Sequence, residues 1–373
     1  MAGIYIHIPF CKQACNYCNF HFSTSLRQKD EVVAAICKEL VLRKDYLYEQ
    51  VVETVYFGGG TPSLLDEGSL MQIWETIFKH YPKIALKEAT LEANPDDMSR
   101  DYAQMLRRTP TNRLSMGVQS FFEQDLRFMQ RAHTANEAET AIKRAQDAGF
   151  DDMTIDLIYG TPGLTNTSWR ENMLKAIQFQ IPHISAYALT VEEKTLLAHQ
   201  IEKGKAPAPL NEQAAQQFEL MEEMLPMAGF DHYEISNFAL PGKYALHNTN
   251  YWKGVHYLGI GPSAHSFNGH SRQWNVANNS LYVKGIETNL PNEELEILSP
   301  EDQINEYILT SLRTMWGIDM HYVGNRFGKE IKQALAAKMI PFLLGQVQQK
   351  DEQYTLTKAG KLFADGIAAD LFF

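Results

Sequence analysis

A chain of 373 residues is long enough for a large apolar core and for two domains. Its formal net charge of −11 speaks against a sequence-independent nucleic-acid binder, while 45% hydrophobic and 21% charged residues is an ordinary globular composition. Four cysteines, three of them bunched, do not make a disulfide framework and suit a reducing compartment, and no window is apolar enough for a membrane span.

The N-terminus, MAGIYIHIPF, lacks the basic start and long apolar run of a signal peptide, so a cytoplasmic protein is expected. GIYIHI (3–8) is short, β-branched and aromatic, as a buried strand is. Residues 26–47 carry apolar side chains at helical spacing, and VETVYF (52–57) is a second strand, followed by GGGTP and an amphipathic helix around 66–80. The rhythm continues with strands at 87–92, 113–118, 153–158 and 183–189 and helices near 98–108, 136–148 and 168–179. Six βα units before residue 205 imply a parallel sheet, too few for an eight-stranded barrel. The expected fold is therefore α/β, a partial (βα)6 barrel of TIM type with its chemistry at the carboxyl ends of the strands.

KGKAPAPL (203–210) is a loop or linker, and 211–228 is helical. Residues 231–269, rich in aromatics and glycine, show little helical period and are expected to be strands and loops over the barrel. The composition changes near 295. Residues 291–373 are expected to form a small helical or winged-helix-like domain docked on a first domain of residues 1–290.

The unusual residues fall where such a barrel does its chemistry. CKQACNYC puts Cys11, Cys15 and Cys18 after the first strand with spacing C-x3-C-x2-C. Three thiols and a nearby histidine, His7 or His21, make one possible zinc shell; three thiols alone fit a [4Fe–4S] cluster with one iron left open. Cys37, on a helix, reads as a buried apolar residue. FGGGTPS follows the second strand; glycines there let the backbone approach a ligand, or merely turn. Glu92 ends the third strand, and Gln119, Arg131 and Asp156 stand on successive units, suited to holding ribose hydroxyls and a carboxylate or to pairing with one another. Asp96 and Asp97 read as solvated or capping carboxylates.

Placed at a first strand-to-helix junction, C-x3-C-x2-C resembles the radical S-adenosylmethionine (radical SAM) superfamily, in which the open iron chelates SAM and an electron from the cluster breaks the sulfonium C–S bond. YIHIPFCKQACNYCNF, FGGGTPSLL, LEANPD, LSMGVQSF, IDLIYGTPG, YEISNFA, HNTNYW, YLGIGPSAHSF and LRTMWGID together resemble the coproporphyrinogen III oxidase-like members of that superfamily over nearly the whole chain. The resemblance implies that Cys11, Cys15 and Cys18 ligate the cluster. It implies SAM contacts at Tyr5, Tyr17, Gly59, Gly60, Thr61, Glu92, Gln119, Arg131, Asp156 and Ala188.

Two departures set the chain apart from the decarboxylating members: Phe20 stands where those have a fourth cysteine, and only four residues precede Tyr5 in place of a long N-terminal arm. HNTNYW (247–252) matches instead the haem-binding motif of the haem-chaperone branch, which implies His247 as an axial iron ligand, and Tyr251 and Trp252 offer flat surface to a porphyrin. The expected function is thus haem delivery with a SAM-liganded cluster, and the alternative is oxidative decarboxylation of coproporphyrinogen III. Haem, haem-accepting proteins such as membrane-bound cytochromes and an electron donor are the implied partners. A homodimer is compatible with this reading, as is peripheral membrane association through a partner, and nucleic acid is not expected.

Overall fold

The computed structural model describes residues 1–48, 50–290 and 293–373. Strands β1 (Ala2–Ile8), β2 (Val52–Gly59), β3 (Ile84–Ala93), β4 (Arg113–Gln119), β5 (Met153–Tyr159) and β6 (His183–Ala188) lie side by side in chain order, all parallel. Between them run helices α1 (Lys29–Leu42), α2 (Glu67–His80), α3 (Arg100–Leu106), α4 (Glu123–Phe128), α5 (Ala135–Asp147) and α6 (Asn166–Gln178). In β1 the period of two is explicit: Ile4, Ile6 and Ile8 are buried in the core beneath the helices, while Gly3, Tyr5 and His7 take the other face, inside the barrel. Asp66, Ser99, Thr134 and Thr165 each accept a backbone N–H at the start of α2, α3, α5 and α6, and Thr134 forms a capping box with Glu137.

After α7 (Leu196–Glu202) and α8 (Asn211–Met227), β7 (Asp231–Glu234) and β8 (Asn237–Ala239) extend the sheet beyond β6. The chain then crosses to the opposite edge through α9 (Leu246–Trp252). There β9 (His256–Ile260) pairs in parallel with β1, and β10 (His265–Phe267) and β11 (Ser271–Asn275) follow. Past α10 (Asn279–Glu287), β12 (Glu293–Ile297) completes twelve strands. The segment expected to hold only strands and loops therefore contains a helix. HNTNYW gives α9 no side-chain cap of its own; instead Glu88 of β3 accepts the backbone N–H groups of Leu246 (2.6 Å) and His247 (2.9 Å). A cap supplied from another strand leaves no local signal. The helix expected over 26–47 is shorter, a 3-10 turn and then α1, and α4 was not expected.

The C-terminal region comprises α11 (Pro300–Leu312), β13 (Ile318–Asp319), α12 (Met320–Phe327), α13 (Lys329–Met339), β14 (Val347–Lys350), β15 (Gln353–Leu356), α14 (Lys358–Lys361) and α15 (Ala364–Leu371). Its strands form a three-stranded antiparallel sheet, and its core, from Ile304 to Leu371, is distinct from the barrel core that ends at Ile286. The expected boundary at 290/291 falls on residues 291–292, outside the described residues. Lys361 fastens this region to the barrel by reaching the buried Glu222 (2.9 Å) and His232 Nδ1 (2.7 Å).

Candidate metal centre and cofactor site

The loop carrying the three thiols is tied at its ends by backbone hydrogen bonds and at its middle by side chains. Cys11 N–H donates to Ser23 O (3.0 Å) and Ser23 N–H to Pro9 O (2.9 Å), tying the two ends together. Gln13 and Asn16 donate side-chain N–H groups to Gln130 O and Phe128 O, both at 2.7 Å. Lys12 pairs with Asp96 (3.0 Å) and with Asp97. The side chain of Asp97 is only 4% exposed and also accepts from Ser63, so the reading of Asp97 as a solvated carboxylate is corrected: it is a buried clamp on the loop.

The glycine run supports the loop from below. Gly60 N–H donates to Ile8 O (2.9 Å) and Thr61 N–H to Phe10 O (2.7 Å). A Cβ on Gly60 would stand 2.6 Å from Phe10 O, and Gly59, at φ 103°, would drive one into the His7 ring at 2.5 Å. No side chain is tolerated at either place. Thr61 Oγ1 accepts from the Asn94 amide (3.1 Å), and Asn94 Oδ1 accepts from Arg131 (2.7 Å). Arg131 also donates to Gly117 O (2.8 Å) and to the Cys15 sulfur (3.3 Å). Asn94, absent from the expected set, is thus the link between the glycine run and Arg131.

Tyr17 packs with Met129, Ile158, Leu189 and Leu197, and its hydroxyl interacts with Arg131. Gln119 ends β4 at φ 65°, beyond a register shift, and its amide and Arg131 both crowd Gly117, 3.0 and 3.1 Å from where a Cβ would be. Glu92 accepts from the Tyr56 hydroxyl (2.7 Å) and from Gly59 N–H (3.2 Å), and Tyr5 stacks on Tyr56. Burial pushes the Glu92 carboxyl up to about 7 and the Asp156 carboxyl up to about 6, where Ser185 and the guanidinium groups of Arg113 and Arg131 offset part of the effect. Ala188 is half-buried at the end of β6, opposite Tyr159. These residues share the carboxyl end of the barrel.

His247 lies elsewhere. It is 2% exposed and sits inside the barrel against Thr54 and Gly3, near the amino ends of β1 and β2. Nδ1 meets the Thr54 hydroxyl and Nε2 the Tyr251 hydroxyl, each at 2.8 Å, and burial pushes the imidazole down to about 3. Tyr251 lines a cavity of about 440 Å3 beside the cluster loop, while Trp252 lies under the Arg313 guanidinium, 5.6 Å away.

Six parallel strands with three thiols at the first strand-to-helix turn are the architecture of a radical SAM protein, and the sequence profile of the radical SAM superfamily matches residues 5–176. The haem chaperone HemW of Bacillus subtilis (strain 168) is 32% identical over 98% of this chain and 98% of its own. HemW of Escherichia coli (strain K12) is 36% identical over 70% of this chain and 69% of its own. The chain belongs to the HemW family. The solved structure of coproporphyrinogen III oxidase (HemN) from Escherichia coli, a radical SAM enzyme, superposes with a TM-score of 0.84 over 100% of this chain and 90% of that one; at 22% identity it is a likeness of fold.

Membership of the radical SAM superfamily implies a [4Fe–4S] cluster and SAM, and the residues present fit both. Cys11, Cys15 and Cys18 are free thiols of intermediate exposure. Burial pushes Cys11 up to about 11 and raises Cys18, and a bound metal would favour the thiolate form of each. Among the described residues no three His, Cys, Asp or Glu groups are gathered to hold one metal ion. The buried Arg131 Nε and Thr161 Oγ1 have no hydrogen-bond partner, as expected of groups that await a polar ligand.

Proposed function

We propose that the protein binds haem together with a SAM-liganded [4Fe–4S] cluster and hands the haem to haem-accepting proteins in the cytoplasm or at the membrane face. In this reading Cys11, Cys15 and Cys18 hold the cluster, which when bound supplies the electron that can cleave SAM. Gly59, Gly60 and Thr61 present backbone groups to the methionyl end. Glu92 and Asp156 accept ribose hydroxyls, and Gln119 and Arg131 flank them with Tyr5, Tyr17 and Ala188 as walls. The observation that carries the reading is the aromatic, imidazole-lined cavity beside the cluster loop, whose rim is Phe20, 67% exposed, where decarboxylating relatives have a thiol. Full-length similarity to haem chaperones supports it. Among the described residues no helix is long and apolar enough to cross a membrane, so a membrane-bound acceptor would be reached through protein contact.

A transfer assay tests the proposal. Reconstituted protein loaded with haem and SAM is mixed with an apo-haemoprotein, and the acceptor's Soret band is followed. Transfer faster than from free haem is expected. Protoporphyrinogen formed from coproporphyrinogen III over several turnovers, with reductant and SAM present, would replace this reading by the enzymatic one.

A further inference from the structure

The twelve-stranded sheet ends differently on its two sides. At one edge β7 carries a register shift between His232 and Glu234, and the chain itself covers the strand. Met315 N–H donates to Tyr233 O (2.9 Å) and Ile235 N–H to Arg313 O (3.0 Å). At the other edge β12 pairs only with β11, in consecutive register and without a bulge. Bulges, prolines, covering segments and charges are the devices by which an edge strand refuses a foreign strand. Of these β12 has charge alone: its residues, EELEI, are all exposed. Carboxylates repel an acidic strand and attract a basic one.

The register fixes which backbone groups are open. Leu298 N–H donates to His270 O (3.0 Å), so that pair is a hydrogen-bonded one. Alternation along the antiparallel ladder makes Arg272–Glu296 and Trp274–Glu294 hydrogen-bonded pairs as well. The N–H and C=O groups of Glu293, Leu295 and Ile297 therefore point to the open edge. Side chains sort by the same period of two. Leu295 and Ile297, 62% and 71% exposed, lie on one face with Glu293, and Glu294 and Glu296 lie on the other. Among the described residues none of the three carboxylates is in an ion pair, and Arg272, opposite Glu296, is held by Glu306.

We propose that the β12 edge is a docking site for an extended segment of a partner protein in which lysine or arginine alternates with aliphatic residues. The segment adds to the sheet as a further strand. Its backbone pairs with Glu293, Leu295 and Ile297, its cations stand beside Glu294 and Glu296, and its aliphatic side chains cover Leu295 and Ile297. The net charge of −11 draws such a segment in and turns acidic ones away. A strand added there lies three strand spacings, roughly 14 Å, from β10, on which His265 lines the cavity beside the cluster loop. The inference goes beyond the haem-carrier reading and does not depend on it.

A short blocked peptide of alternating lysine and valine, carrying a fluorophore, is titrated into the protein and followed by anisotropy. Saturable binding that weakens with added salt is expected, with an alternating glutamate–valine peptide bound at least tenfold more weakly. Leu295→Pro removes an N–H that faces the open edge and none that pairs with β11. It is expected to weaken binding at least tenfold with circular dichroism unchanged. Glu294→Lys combined with Glu296→Lys is expected to do the same without a backbone change, and to bind the glutamate–valine peptide instead. Equal binding of the two peptides, or unchanged binding in either variant, overturns the proposal. Self-association in sedimentation that Leu295→Pro abolishes, with no peptide bound, overturns it in favour of a second copy of this chain. Absence of saturable binding by the lysine–valine peptide overturns it outright.

Discussion

Two glutamates on one strand, Glu88 and Glu92, face the same barrel interior four residues apart and meet opposite fates. Glu88, at the amino end, accepts two backbone N–H groups at the start of α9, where the helix dipole supplies positive charge. Glu92, at the carboxyl end, accepts one hydroxyl and one amide, feels the Asp156 charge, and is pushed up to about 7, chiefly by burial. One end of the barrel turns its carboxyl group to capping a helix; at the other, burial raises the proton affinity of the carboxyl group.

The sharpest test of that contrast removes the metal ligands. Cys11→Ser, Cys15→Ser or Cys18→Ser is expected to abolish a stable [4Fe–4S] cluster, read by iron and sulfide analysis and by the loss of broad absorption, while circular dichroism stays unchanged. If Cys11→Ser still assembles a full cluster, the three-thiol set is wrong.

At the amino end, Glu88→Ala leaves two backbone donors of α9 unsatisfied and is expected to cost about 1–3 kcal/mol of stability in denaturant titration. A loss below experimental error would mean that α9 does not depend on this carboxylate.

Glu92 is expected to respond to pH instead. Its folded pKa lies above the ordinary 4.5, so between about 4.5 and 7 the folded protein keeps a proton that the unfolded chain releases. Stability of the ligand-free protein therefore falls as pH rises through that window. A cationic ligand such as SAM favours the carboxylate, so its affinity should rise roughly tenfold from pH 6 to pH 8 with proton release on binding. Glu92→Gln is expected to flatten both trends, and calorimetry in buffers of different ionisation enthalpy measures the proton. The smallest effect is expected at the rim: Phe20→Ser should change stability by no more than about 0.5 kcal/mol, since the ring is exposed.

The parts of this molecule written in local pattern were readable from the residues. The Ile4, Ile6, Ile8 alternation announces β1, cysteine spacing announces the loop, and the βα rhythm announces the partial barrel seen in the fold. What could not be read depends on residues far apart in the chain. Asn94 acquires its role from Thr61 and Arg131, Asp97 from Lys12, and α9 from Glu88 on a strand over 150 residues earlier. The setting of His247 is of the same kind: Thr54, on a strand far earlier in the chain, and Tyr251, one turn along α9, hold its ring inside the barrel.

The ties on the thiol loop bear on which substitutions would disturb it. Its ends are tied at Ser23, its middle is pinned at Gln130, Phe128, Asp96 and Asp97, and none of these ties uses a sulfur that would meet iron. The loop's shape is therefore set by the whole barrel, from β1 to the turn after α4, and a change at Asn16 or Asp97 would disturb the thiols without touching one.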